Sequence, residues 1–117
     1  MKMWKVYEYS NCSTCKKALK FLDHKKVAYE KIDITTHAPT KQELTEMARH
    51  VGLKKLFNTS GLVYKEMKLS EKLPHMSEAE AIALLASNGR LVKRPFVLGR
   101  DWGLVGFKQE EWAKRAR

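Results

Sequence analysis

Apolar and polar positions change their period several times along the chain, and each change marks an element. Residues Lys2 to Tyr9 form a short apolar run bounded by Ser10-Asn11, which predicts a first strand. From about Ser13 to Lys25, Ala18, Leu19 and Leu22 recur at helical spacing, with Cys15 on the same stripe. Val27 to Ile34 predicts a second strand, with Tyr29, Ile32 and Ile34 as its apolar members. A strand–helix–strand unit of this length implies parallel pairing of the two strands.

The pattern then turns helical for about fifty residues. Thr35 to Pro39 is a connector, and Thr40-Lys41-Gln42-Glu43 is a capping box that opens a helix. Leu44, Met47, Ala48 and Val51 fall at i, i+3, i+4 and i+7 on its inner face, and Gly52 supplies a left-handed stop. Leu53 to Phe57 reads as a helical turn and Asn58 to Gly61 as a loop. Leu62 to Lys68 and Leu69 to Leu73 read as short helices or turns. Ser77-Glu78-Ala79-Glu80 is a second capping box; its helix turns Ala81, Leu84 and Leu85 inward and stops at Asn88-Gly89. A third short strand is expected at Leu91-Val92-Lys93. Phe96 to Leu98 and Leu104 to Phe107 should follow as a hairpin, and a closing helix from Gln109 to Arg115 should end the fold. Glu110 and Glu111 begin that helix and Lys114, Arg115 and Arg117 end it, as the helix dipole favours.

The predicted architecture is α/β: a β-α-β half, a helical insertion at about 40–88 and a β-β-α half. Together they make a thioredoxin-like mixed sheet of four strands, or five if Leu91-Val92 pairs, flanked by helices. At 117 residues the chain fits one domain spanning 1–117. Hydrophobic residues make up 44% and charged residues 31%, ordinary for a soluble globular chain. No apolar run reaches the ~20 residues of a membrane span, and the N-terminus has no signal-peptide core. These features predict a cytoplasmic protein, most simply a monomer. The net charge of +10, from 23 Lys and Arg against 13 Asp and Glu, favours acidic partners. The basic residues are spread along the chain, there is no DNA-reading motif, and a solvated basic surface is the expected arrangement.

The chemistry is concentrated in Cys12-Ser13-Thr14-Cys15, which holds both cysteines and sits where the first strand turns into the first helix. A sulfur at that turn faces backbone N–H groups without partners inside the helix, and the positive end of the helix dipole. Lys16 and Lys17 add positive charge. Cys15 lies on the core stripe, whereas Cys12 lies at the open first turn, which assigns Cys12 as attacking thiol and Cys15 as resolving thiol. Two other readings stay open: half of a zinc site, or a small core residue beside an idle surface thiol. Zinc wants four ligands, and the chain offers no second cysteine pair; His24, His37, His50 and His75 are scattered. No metal or bound cofactor is therefore expected.

The cysteine motif, Phe57-Asn58-Thr59-Ser60-Gly61, Leu91-Val92-Lys93-Arg94-Pro95 and Gly106-Phe107 together resemble the ArsC/Spx/YffB-type family of thioredoxin-fold proteins, over nearly the whole chain. The resemblance implies a thiol-dependent activity, with thioredoxin or glutathione as reductant. In the arsenate reductases of that family one cysteine attacks arsenate and three arginines hold the oxyanion. Cys12 matches the cysteine and Arg94 one arginine; the other two positions fall at about Asn58 and Gly106. In the Spx branch the cysteine pair is a redox switch that governs contact with RNA polymerase, and Cys12 and Cys15 match that pair too. Pro95 matches the cis-proline that lies beside the cysteines in thioredoxin-like folds. Cys12, Cys15 and Arg94 are thus the candidate catalytic residues, and Asn11, Ser13, Thr14, Asn58 and Pro95 the candidate substrate-binding set.

Overall fold

Strand β1 (Trp4–Glu8) organises the molecule: it pairs in parallel with β2 (Tyr29–Asp33) on one side and antiparallel with β3 (Phe96–Leu98) on the other. Strand β4 (Gly103–Val105) pairs antiparallel with β3, giving the order β2-β1-β3-β4. The structure is a computed structural model that describes residues 3–116. Lys2, the expected start of the first strand, and Arg117 lie outside the described residues.

Alternation along β1 divides the core into two layers. Trp4 and Val6 join Ala18 and Leu22 of α1 (Ser13–His24), Val97 of β3 and Trp112 of α6 (Gln109–Arg115) on one face. Tyr7 points to the opposite face, where Phe96 and Leu98 meet two long helices. Those helices are α2 (Lys41–Val51), through Leu44 and Met47, and α5 (Glu78–Ser87), through Ala81, Ile82 and Leu85. Between them, α3 (Leu62–Glu66) and α4 (Leu69–Lys72) are single short turns, of which Leu69 reaches the core. Fully burying a side chain of the Leu or Val class contributes roughly 1.5–3 kcal/mol. The fold therefore rests on these two apolar layers more than on its surface ion pairs. The four-stranded mixed sheet with helices on both faces is the thioredoxin-like arrangement that the pattern predicted.

Four expectations need correction. Leu91-Val92-Lys93 is not a strand: Gly89–Leu91 is a 3₁₀ turn, and Val92 makes only an isolated bridge to Phe57. The cause is close packing at Gly89, where a Cβ would lie 1.8 Å from the Ile34 carbonyl oxygen; this bends the chain before it can extend. The last strand begins one residue earlier and ends two residues earlier than expected, because Gly106 turns to φ 72°. Ile82 rather than Leu84 is fully inward on α5, and Leu84 is half-buried. Gly52 does end α2 with a positive φ of 92°, but with ψ 144° it leaves the helix in an extended rather than a left-handed helical conformation.

Candidate active site

The sheet register builds the site. Tyr7 pairs with Phe96 in the β1–β3 ladder, so two residues beyond that pair Tyr9 and Arg94 face each other across the continued register. The Arg94 guanidinium accordingly lies over the Tyr9 ring, 5.2 Å from its centroid. The Arg94–Pro95 peptide bond is cis. Pro95 is buried, and its carbonyl accepts the Gly106 N–H at 2.9 Å, which brings Gly106, Phe107 and Lys108 alongside Arg94. From the other direction, the Lys93 N–H donates to the Leu56 carbonyl at 2.7 Å and the Asn58 N–H to the Leu91 carbonyl at 2.8 Å. Those bonds hold the Asn58–Ser60 loop against the stretch that leads into Arg94.

Cys12 follows β1 and serves as N-cap of α1. Its backbone is extended (φ −98°, ψ 115°), and its Sγ accepts the Cys15 N–H at 3.3 Å. The side chain is half-buried and opens on a groove of about 380 Å³, walled by Thr14, Phe57, Asn58, Arg94, Phe107 and Lys108 among others. Cys15 is sealed behind it, with no solvent exposure; both sulfurs are free thiols. Burial pushes the Cys15 thiol up to about 12; the adjacent Cys12 sulfur adds to the rise and the Tyr9 backbone opposes it. One arginine nitrogen, Nη1 of Arg94, is sealed from solvent and has no acceptor among the described residues.

This arrangement can do two things chemically. A half-exposed sulfur with a second sulfur one helical turn behind it can close a disulfide within the pair. The Arg94 guanidinium, which lines the same groove as that sulfur, can bind a carboxylate or another oxyanion.

A family model described as the ArsC family matches residues 7–115. The chain belongs to the ArsC family. Among solved relatives, an ArsC-family-related protein from Bacteroides fragilis is 52% identical, with 95% of each chain covered and a TM-score of 0.90. A Streptococcus mutans protein described as a possible arsenate reductase is 36% identical, covering 97% of this chain and 99% of its own, at a TM-score of 0.87. The uncharacterised YusI of Bacillus subtilis is 44% identical over 108 residues, 91% of this chain and 92% of that protein. The family frame thus holds for the whole described sheet, while the activity of this member has to be read from its own groove.

Of the sequence candidates, Cys12, Thr14, Asn58 and Arg94 line one groove; Cys15 backs it and Pro95 adjoins it. Asn11 and Ser13 do not line it. Both are exposed, and the Asn11 amide instead donates to the Tyr9 hydroxyl at 3.3 Å. Sequence reasoning missed Lys93, Phe107 and Lys108, all groove residues. Their signal was adjacency, since Lys93 precedes Arg94 and Lys108 follows Gly106-Phe107. It also missed Glu8, which is 6% exposed and lies close enough to influence Cys15 electrostatically. Burial raises the Glu8 carboxyl, against the pull of Lys31 and with the help of Asp33. Its place on the inward-facing period of β1, two residues after Val6, was the available clue.

Proposed function

We propose that this protein is a thiol–disulfide redox protein in which Cys12 attacks, Cys15 resolves and Arg94 anchors an anionic group of the substrate. The observation that carries this reading is the pairing of a half-exposed sulfur at a helix N-cap with a sealed second thiol in the next turn, in a groove that Arg94 also lines.

In the first step the Cys12 thiolate attacks one sulfur of a substrate disulfide. A Cys12–substrate disulfide forms, the substrate S–S bond breaks, and one substrate thiolate leaves. In the second step Cys15 passes its proton to the released substrate thiolate and its sulfur attacks the Cys12 sulfur. The Cys12–Cys15 disulfide forms and the second substrate thiolate leaves. Two electrons pass from the protein to the substrate, and a dithiol or two equivalents of a monothiol return them; thioredoxin and glutathione have that chemistry. The high pKa of Cys15 keeps it protonated while Cys12 works, so the two thiols act in sequence.

Arsenate reduction is the less supported reading. Asn58 and Gly106 stand in the groove where further arginines would be required, and the remaining cations are the lysines Lys93 and Lys108. Lysine offers a point charge, not the bidentate fork that grips a tetrahedral oxyanion. One carboxylate on Arg94 fits this set better.

Turnover of bis(2-hydroxyethyl) disulfide with glutathione as electron source tests the proposal. The wild-type protein should reduce it, and Cys12→Ser should lose that activity. A Cys12→Ser protein as active as the wild type refutes the assignment. Arsenate-dependent oxidation of the two thiols, tested alongside, should be absent.

A further inference from the structure

The basic residues look scattered in sequence, yet folding gathers them. The groove at Cys12 contains Lys93, Arg94 and Lys108. A second groove, about 420 Å³, runs along β4 between the end of α2 and α6; it shares Lys93, Val105 and Lys108 with the first and adds Lys55 and Arg115. A third, about 570 Å³, lies at the far end of the sheet; it shares Trp102 and Arg115 with the second and adds Lys25, Lys26 and Arg100. The shared walls make one continuous belt from Cys12 along the sheet edge. Among the described residues, eight lysines and arginines line it against two carboxylates, Asp101 and Glu111, both in the second groove.

The floor of the belt is an open backbone edge. β4 is the last strand of the sheet, with β3 on one side only. Leu104 pairs with Val97, and the flanking bonds run from the Gly99 N–H to the Trp102 carbonyl and from the Gly106 N–H to the Pro95 carbonyl, each 2.9 Å. Residues 102, 104 and 106 therefore turn their backbone groups toward β3, and 103 and 105 turn theirs outward. Gly103 is covered by Met47 and His50 of α2, whereas Val105 is half-exposed. Among the described residues, neither the N–H nor the carbonyl of Val105 has a partner outside the β3–β4 ladder.

We infer that this belt docks an acidic polypeptide segment in extended form, which adds to the edge of β4 at Val105 and runs toward Cys12. Charge complementarity selects acidic side chains. The backbone selects a polypeptide: Val105 offers a donor and an acceptor side by side, which another strand satisfies with its own carbonyl and N–H. A phosphodiester chain has no N–H to give to the Val105 carbonyl. That the docked segment presents a sulfur to Cys12 rests on the thiol-exchange reading above; the docking itself does not.

The test uses the full chain, as wild type and as Cys12→Ser, titrated with a fluorescent synthetic peptide in which Glu alternates with Val and Thr. A matched peptide with Lys in place of Glu and a single-stranded oligothymidylate serve as competitors. The acidic peptide should bind both proteins equally, more weakly as salt rises, and should slow hydrogen exchange at the Val105 amide. Lys55→Glu combined with Arg100→Glu should weaken binding by about tenfold or more. No binding of the acidic peptide, equal binding of the basic one, binding that leaves the Val105 amide unprotected, or preference for the oligonucleotide would each overturn the inference. A protein that reduces the small disulfide but fails to bind the peptide loses the docking surface and keeps the thiol chemistry; the reverse result does the opposite.

Discussion

Three helices of this protein start at well-defined caps, and one of them is built differently. At α2, Thr40 Oγ1 accepts the Glu43 N–H at 3.1 Å and Glu43 Oε1 accepts the Thr40 N–H at 3.0 Å. At α5, Ser77 Oγ and Glu80 make the same reciprocal pair at 3.1 and 2.9 Å. Each of these starts has an oxygen cap and at least one carboxylate in its first turn, which quiets the positive end of the helix. At α1 the cap is a sulfur, the bond is longer at 3.3 Å, and the first turn holds no acidic residue. The next residues after Cys15 are Lys16 and Lys17, both exposed. Where only stability is at stake the chain uses hydroxyl and carboxylate. At the proposed attacking sulfur it uses a weaker cap and leaves the positive end of the helix without a carboxylate.

The largest expected effect separates the two kinds of start. Cys12→Ser should remove thiol exchange down to the uncatalysed rate. Thermal unfolding should show no loss of stability, because serine is a better N-cap than cysteine. A Cys12→Ser protein that unfolds several degrees early would mean that the sulfur is there for packing. Next in size is Arg94→Ala. Exchange with anionic oxidised glutathione should fall about tenfold to a hundredfold, the equivalent of the roughly 1.5–3 kcal/mol of one charged hydrogen bond. Exchange with a neutral disulfide should hardly change, and an equal loss with both would show that Arg94 does not recognise charge.

Thr40→Ala should do the reverse of Cys12→Ser: leave exchange intact and cost about 1 kcal/mol, lowering the melting temperature by about 4 °C. The smallest effect concerns pH. Burial would raise the Glu43 carboxyl, but hydrogen bonds from Lys5 at 2.7 Å, from Tyr7 at 2.7 Å and from the Thr40 N–H outweigh it and hold it below the usual range. A lowered folded-state pKa contributes stability above the unfolded value, and that contribution disappears as pH falls through the folded value. Glu43→Gln should therefore flatten the acid limb of stability in urea titrations. Glu8 has the opposite sign, since burial raises its carboxyl. The folded state holds that proton more tightly, so Glu8→Gln should gain on the wild type as pH rises through the raised value. Parallel acid limbs in wild type and Glu43→Gln would remove that carboxylate from the account.

What was legible in the sequence follows from how local each signal is. Both capping boxes, the start of α1 at Ser13 and the bounds of α6 at Gln109 and Arg115 depend on neighbours within a turn, and they stand where the pattern put them. The bend at Leu91–Lys93 depends on Gly89 meeting Ile34, fifty-five positions away in the chain, so a short apolar run there read as a strand. The groove shows the same divide. The sequence pointed to Cys12 and Arg94, but the gathering of Lys93 and Lys108 with them is a product of the β3–β4 register. Asn11 looked equivalent to Thr14 as a neighbour of Cys12. Only the direction in which α1 leaves the cap decides that Thr14 faces the groove and Asn11 does not.

The division of labour between the two sulfurs is tested most directly by intact-protein mass spectrometry after mixing each protein with one equivalent of oxidised glutathione. The wild type should accumulate an internal Cys12–Cys15 disulfide, Cys15→Ser should stop as a glutathione adduct on Cys12, and Cys12→Ser should stay unmodified. An adduct on Cys15 in the Cys12→Ser protein, formed as fast as the wild type reacts, would contradict the account.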